Sequence, residues 1–136
     1  MYDKTRGLRN NNPGNIRHGD NWQGMAKVQN DASFITFVSP VYGIRAIAKI
    51  IGNYKAKYGL DTIAGIINRW APPSENDTQA YIDDVSQSVG IGPDMPLQHS
   101  DMTALVSAII KHENGVQPYS LATLSTGIAM SGVAYA

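Results

Sequence analysis

Apolar residues recur at intervals of three and four in four stretches of the chain, the spacing that places them on one face of an α-helix. In the longest stretch, Ile44, Ile47 and Ile51 follow this spacing. The four helices predicted from it cover residues 40–58, 62–70, 78–89 and 100–115. Residues that end helices stand at the end of each stretch, namely Gly59, the pair Pro72 and Pro73, Gly90 and Gly115. The pattern therefore predicts a mainly helical protein.

The first third of the chain lacks this helical period. Residues 6–24 are dense in Asn, Gly and Pro, a composition that predicts a loop. Residues 26–38 predict a β-hairpin whose turn lies at residues 30–33. Alternation within the second strand places Ile35 and Phe37 on one face.

These elements together predict a single α+β domain over residues 1–136, mainly helical, with a small β-hairpin near the N-terminus. A chain of 136 residues is long enough for one domain with its own core and short for two. The tail over residues 120–136 mixes small and apolar residues without a clear period, so no element is predicted there.

Composition narrows the possible functions. The formal net charge is zero, which argues against nucleic-acid binding, because phosphate contacts need a basic surplus. The absence of cysteine excludes disulfides and thiol chemistry. The histidines, His18, His99 and His112, are scattered without metal-ligand spacing. No phosphate loop or dinucleotide fingerprint is present either, so we expect neither a metal nor a cofactor.

Two further patterns concern localisation. The N-terminal segment lacks the apolar core of a signal peptide. No apolar run is long enough to span a bilayer. We therefore expect synthesis in the cytoplasm, without membrane insertion.

The predicted helix over residues 100–115 carries the best candidate for catalysis. Ser100 is a natural N-cap, and the apolar face includes Ile109 and Ile110. Glu113 continues this apolar face and lies in the last turn, where the helix dipole disfavours an anion. Both effects favour the neutral acid, the form that a glycosidase needs to protonate a leaving oxygen. The alternative is a solvated residue at a helix end.

Other residues offer weaker candidates. Glu75 is a possible second carboxylate, although polar residues before a helix also act as caps. Asp31 lies at the predicted hairpin tip and is expected to be a turn residue. Trp70 precedes two prolines that could present its ring at the edge of a groove, and Tyr81 lies on an apolar helix face. Both rings are otherwise expected in the core.

Three segments resemble enzymes that degrade peptidoglycan. Residues 105–120, Leu-Val-Ser-Ala-Ile-Ile-Lys-His-Glu-Asn-Gly-Val-Gln-Pro-Tyr-Ser, resemble the catalytic helix of lysozyme-like lytic transglycosylases, which ends in a catalytic Glu. Residues 43–54 and 62–85 resemble later segments of the same family. The opening Arg-Gly-Leu-Arg-Asn-Asn-Asn-Pro-Gly-Asn-Ile-Arg over residues 6–17 is similar to that of small phage virion-associated muramidases.

The order of these segments departs from the family, because the catalytic helix comes last instead of first. The resemblance therefore implies a circularly permuted lysozyme-like domain, a rearrangement that is tolerated where termini lie close together at the surface. Two residues also differ. Asn114 replaces the Ser that follows the catalytic Glu, and Trp70 replaces a family Tyr.

The resemblance implies a phage lytic transglycosylase or muramidase that cleaves the bond between N-acetylmuramic acid and N-acetylglucosamine. Glu113 would protonate the glycosidic oxygen and then act as a base. The implied sugar-binding residues are Asn12, Asn15, Trp70, Tyr81 and Asn114. The implied partners are glycan strands of peptidoglycan and phage virion proteins. The protein would be made in the host cytoplasm and would act on the cell wall, from the virion or during lysis.

Two alternatives stay open. One is a phage structural or wall-binding protein that keeps the fold without catalysis, since fold alone does not establish function. The other is a hydrolase in which Glu75 or Asp31 serves as general base beside Glu113.

Overall fold

Six α-helices make up most of residues 4–133, the part of the chain that the computed structural model describes. They are α1 (Arg6–Arg9), α2 (Pro40–Tyr58), α3 (Ile63–Trp70), α4 (Thr78–Val89), α5 (Met102–Asn114) and α6 (Leu121–Met130). Helices α2 to α5 agree with the predicted ranges to within two residues at either end. The mainly helical class predicted from the sequence is therefore confirmed.

The ends of the helices follow from local sequence. Pro40 opens α2, where its missing N–H costs no hydrogen bond. The backbone of Gly115 is left-handed, with φ 76°, and ends α5. The predicted Ser100 cap is wrong, because a 3-10 turn over His99–Asp101 precedes α5. Asp101 instead accepts a hydrogen bond of 2.7 Å from the backbone N–H of Gln98.

The core forms where α2 and α5 meet the shorter helices. The predicted apolar stripe of α2 is fully buried at Ile44, Ile47 and Ile51. Leu105 and Ile109 of α5 are equally inaccessible to solvent. Each such side chain contributes about 1.5–3 kcal/mol relative to an exposed one. Residues of every helix from α2 to α6 belong to the same cluster of buried side chains.

The tail over residues 120–136, where the sequence predicted no element, contains α6, which packs against α2. Ser120 caps this helix by accepting a hydrogen bond of 3.1 Å from the backbone N–H of Thr123. The crossing with α2 is close, because a Cβ on Gly127 would lie 2.6 Å from a methyl carbon of Ile44. Residues 134–136 of this tail lie outside the described residues, as do residues 1–3.

The β-hairpin predicted over residues 26–38 is wrong. In the described chain, pairing is limited to isolated bridges, from Arg17 to Phe34 and from Met25 to Phe37. The side-chain amide of Gln29 takes the place of a strand, since it accepts from the Thr36 N–H at 2.8 Å and donates to the Thr36 carbonyl at 2.9 Å. The segment that was predicted as the second strand therefore pairs with a side chain and with the N-terminal loop.

An ion pair holds this segment against the N-terminus. The guanidinium of Arg6 donates two hydrogen bonds of 2.6 Å to Asp31. Asp31 also accepts from the backbone N–H groups of Ser33 and Phe34, at 2.9 Å and 3.0 Å. Asn10 contributes a further bond of 3.1 Å. The bonds from Arg6, together with the two backbone bonds, hold the pKa of the Asp31 carboxyl well below its usual range.

The Asp31→Asn variant should be less stable than wild type at neutral pH. Because the pKa of Asp31 is lower in the folded than in the unfolded chain, its stabilisation is complete above about pH 4. That stabilisation is lost as the pH falls toward the folded-state value. Urea unfolding over a pH series should show a difference that shrinks below about pH 4.

The matched control for this experiment is Asp94→Asn, which changes an exposed acid in the connection before α5. It should leave the free energy of unfolding nearly unchanged. A deficit in Asp31→Asn that stayed constant from acid to neutral pH would contradict the role of the Asp31 charge.

Candidate active site

Glu113 is partly exposed in the last turn of α5, and two side chains from distant parts of the chain hold it. Its Oε1 accepts a hydrogen bond of 2.9 Å from Nδ2 of Asn15. Its Oε2 accepts a hydrogen bond of 2.8 Å from the hydroxyl of Tyr81. The sequence predicted only that Glu113 continues the apolar face of its helix. The structure instead gives each oxygen its own donor, so the carboxyl is fixed in one orientation.

The N-terminal loop presents Asn15 to the carboxyl. Its backbone has φ 53°, a left-handed conformation that Asn tolerates better than most residues. While Nδ2 contacts Glu113, the buried Oδ1 has no hydrogen-bond partner among residues 4–133. This oxygen faces the backbone of α1, where a Cβ on Gly7 would lie only 2.4 Å away. The amide of Asn15 is therefore held by close packing on one side and by Glu113 on the other.

Asn12 fixes the shape of this loop from inside. Its Nδ2 donates to the carbonyls of Ile16 and Ile35, at 2.8 Å and 2.9 Å. Its Oδ1 accepts from the backbone N–H of Ile16 at 3.0 Å. The side chain is fully buried, so the predicted contact between Asn12 and a sugar is wrong. Asn12 is a positioning residue.

Asn114 joins the same loop to α5. Its Nδ2 donates to the carbonyls of Pro13 and Ile110, at 2.8 Å and 2.9 Å. Its Oδ1 accepts from the hydroxyl of Thr5 at 2.6 Å. Because the side chain is buried and its bonds are all internal, the predicted role of Asn114 in substrate binding is also wrong. It anchors the loop one residue beyond the candidate acid.

Tyr81 approaches the carboxyl from α4. Its side chain is only 2% exposed, and its ring stacks on that of His112 with centroids 3.7 Å apart. Nδ1 of His112 lies 2.7 Å from a carboxylate oxygen of Asp84, which holds the imidazole in place. Burial, followed by the charge of Glu113, raises the pKa of Tyr81 well above its usual value. The hydroxyl consequently stays a hydrogen-bond donor.

Glu113 opens into a cavity of about 450 Å³, here called the inner cavity. Aromatic and charged side chains that line it include Phe34, Tyr54, Trp70, Arg17, Arg69 and Glu75. A neighbouring outer cavity of about 310 Å³ shares Arg17, Tyr54 and Arg69 with it and also contains Trp22. Because they share these residues, the two cavities adjoin each other and are together called the groove.

Comparison with known proteins places the chain in a phage protein family. No family model matches it. The chain is 44% identical over 131 residues to Protein P5 of Pseudoalteromonas phage PM2, covering 93% of this chain and 82% of that protein. The chain belongs to the family of Protein P5. This relationship connects the chain with a bacteriophage protein.

The two other candidate carboxylates have different surroundings in this P5-family protein. Glu75 is exposed and lines the inner cavity together with Glu113. Asp31 is bound on both oxygens by Arg6 and also by Asn10, and its side chain is 10% exposed. These contacts give Asp31 a role in the fold and do not favour it as a general base. Glu75 stays a candidate second carboxylate.

Several residues that line the groove are not predicted from the sequence. Arg17, Tyr54 and Arg69 are not among the site residues predicted from the sequence. Their positions depend on how α2 and α3 pack against the N-terminal loop. Trp70, which was predicted, lines the inner cavity and lies against Gly14, where a Cβ would be 3.1 Å from the indole.

Two structural features, a cluster of metal ligands and a membrane-spanning helix, are absent from the described residues. Within residues 4–133, His, Asp and Glu side chains do not gather in groups of three or more that could hold a metal ion. None of the helices in that range has both the length and the apolar character needed to cross a bilayer.

The Gly7→Ala variant should displace the Asn15 amide. The added Cβ would lie 2.4 Å from Oδ1 of Asn15 and 2.8 Å from Oδ1 of Asn114, both too close for a carbon atom, so both amides must shift. Overpacking of this kind costs about 1–3 kcal/mol of stability. Amide NMR signals of Asn15 and Asn114 should move, together with the carboxyl carbon of Glu113.

Gly92→Ala is the control for this variant, because its Cβ would meet only the flexible side chain of Met95, at 3.3 Å. Its unfolding midpoint and the Glu113 signal should stay close to wild type. If Gly7→Ala left the signals of Asn15 and Glu113 in place, Asn15 would not be held as described.

The raised pKa of Tyr81 can be tested by titration of tyrosinate absorbance. Folded wild type and Tyr81→Phe should gain equal absorbance up to about pH 11, because Tyr81 does not ionise in that range. The two proteins should differ by one tyrosine only after unfolding in guanidinium. A deficit of one tyrosine in the folded variant below that pH would mean that Tyr81 is accessible and unpaired.

Proposed function

We propose that this P5-family protein is an enzyme that cleaves the glycan chain of peptidoglycan between N-acetylmuramic acid and N-acetylglucosamine. The observation that carries the proposal is the carboxyl of Glu113, held by Asn15 and Tyr81 at the wall of a groove. Trp70 and Tyr54 add aromatic rings to that groove, on which sugar rings can stack. The resemblance of the chain to lysozyme-like transglycosylases agrees with this arrangement.

In the proposed reaction, Glu113 protonates the glycosidic oxygen as its bond to the anomeric carbon breaks. The carboxylate that results then takes a proton from the hydroxyl that attacks the anomeric carbon. In a lytic transglycosylase this hydroxyl belongs to the muramic acid itself, so an anhydro ring closes and no water is added. One carboxyl is enough for this route, which makes it our preferred form of the proposal.

Hydrolysis is the second form of the reaction. An attacking water would need a general base, and Glu75 is the carboxylate on the same cavity that could supply it. The product then gains one water relative to the anhydro sugar. Product mass therefore separates the two routes without further structural information.

The test is mass spectrometry of purified peptidoglycan digested by wild type and by Glu113→Gln. We expect wild type to release anhydro-muropeptides and Glu113→Gln to lose at least about a hundredfold in rate, the usual contribution of a general acid. Hydrated products that disappear in Glu75→Gln as well would establish the hydrolytic route. Asp94→Gln, an exposed acid outside the groove, is the matched control and should retain full activity.

The competing function is that of a virion or cell-wall-binding protein without catalysis. The relationship to a phage protein is compatible with this function as well as with an enzyme. In that case wild type would bind walls and release no sugars, and Glu113→Gln would bind equally well. Such a result would overturn the enzymatic proposal and would leave virion proteins and the wall as the expected partners.

A further inference from the structure

Two arginines in the groove have no acidic partner. Arg17 and Arg69 both line the inner and the outer cavity, at the place where the two join. Among residues 4–133, ion pairs within 4 Å link only Arg6 with Asp31 and His112 with Asp84. The guanidinium groups of Arg17 and Arg69 are therefore exposed cations inside a concavity, without a carboxylate of residues 4–133 within 4 Å.

Aromatic rings hold both guanidinium groups. Arg69 lies 3.7 Å from the ring centroid of Tyr58 and 5.7 Å from that of Tyr54. Arg17 lies 5.3 Å from the ring centroid of Phe34. Stacking on a ring restrains the side chain while leaving the N–H groups at its edge free to donate. The ring contacts therefore restrain both guanidinium groups while their N–H groups can still bind a planar anion.

The rest of the outer cavity leaves a local surplus of positive charge. Lys57 lines it together with the two arginines, while Asp20 is the acid on its wall. The inner cavity, in contrast, also carries Glu75 and Glu113. The positive end of the groove therefore lies at the junction and beyond it, away from the candidate acid.

We propose that Arg17 and Arg69 bind a carboxylate that the glycan carries, so that the groove selects acidic glycans over neutral ones. This inference rests on the proposed function, because it names a recognition element of the same groove. The forked N–H groups of arginine match the two oxygens of a carboxylate. In peptidoglycan that carboxylate belongs either to the lactyl group of muramic acid or to the peptide attached to it. Chitin carries neither.

The experiment measures binding in the Glu113→Gln background, so that ligands stay intact. The ligands are peptide-bearing glycan strands, strands stripped by an amidase to leave the lactyl carboxylate, and chitin oligosaccharides. We expect Arg17→Gln with Arg69→Gln to weaken binding of acidic strands by about tenfold or more, from the loss of charge-assisted hydrogen bonds. Chitin binding should change less than twofold. The lactyl carboxylate is free only where no peptide is attached, so loss only on stripped strands would assign the lactyl group and loss only on peptide-bearing strands would assign the peptide. Loss on both would mean that the arginines bind either carboxylate.

Controls separate charge recognition from damage to the fold. Lys27→Gln removes an exposed cation outside both cavities and should bind every ligand as the parent does. Arg17→Lys with Arg69→Lys keeps the charge without the fork and should recover part of the affinity. Each single Gln variant should weaken acidic binding by itself, which keeps the test valid if the double variant unfolds. Salt should weaken acidic binding more in the parent than in the Gln variants.

The outcomes distinguish this inference from the proposed function. If wild type releases no sugars but acidic binding still depends on the two arginines, the enzymatic proposal fails and the inference stands. If wild type cleaves walls while the Gln variants bind acidic strands and chitin as the parent does, the inference fails alone. An equal loss of affinity for chitin and for acidic strands would also overturn it, because a carboxylate would then play no part.

Discussion

The structure around the candidate site depends on two buried asparagine side chains. Asn12 closes the N-terminal loop upon itself, and Asn114 ties that loop to the end of α5. A buried loop has backbone groups that lack helical partners, and leaving them unpaired would cost roughly the desolvation of each group. These two amides pair several of them at once. Because Asn114 directly follows Glu113 in the chain, the same contacts that bury the loop also bring Asn15 to the carboxyl.

The surroundings of Glu113 include contacts that the residue pattern of one helix does not predict. The spacing of apolar residues in α5 correctly singled out Glu113 as unusual, since it continues the buried face. That pattern did not reveal the two hydrogen-bond donors of the carboxyl, because both lie far away in sequence. Asn15 is 98 residues distant and Tyr81 is 32. A helical pattern carries no information about such neighbours, whereas it does determine which turn of α5 bears the acid.

The same distinction separates the elements that the sequence predicts well from the others. Helices α2 to α5 are predictable because apolar period, prolines and glycine stops agree with one another. The hairpin was wrong because the amide of Gln29 satisfies the backbone of Thr36, a bond that no alternation of residues reveals. Helix α6 was missed because its small and apolar residues surround the helix on all sides. Its position is determined by the close approach of Gly127 to α2.

The net charge of the whole chain does not describe the local charge of the groove. The formal value of zero combines charges that cancel locally with charges that do not. Arg6 and Asp31 neutralise each other at 2.6 Å, and their pair serves the fold. Arg17 and Arg69 lie in the groove without such a partner in the described part of the chain, which is why we propose that they bind a ligand. A net charge of zero therefore argues against the broad basic surplus that nucleic-acid binding uses, and it does not argue against local recognition of a carboxylate.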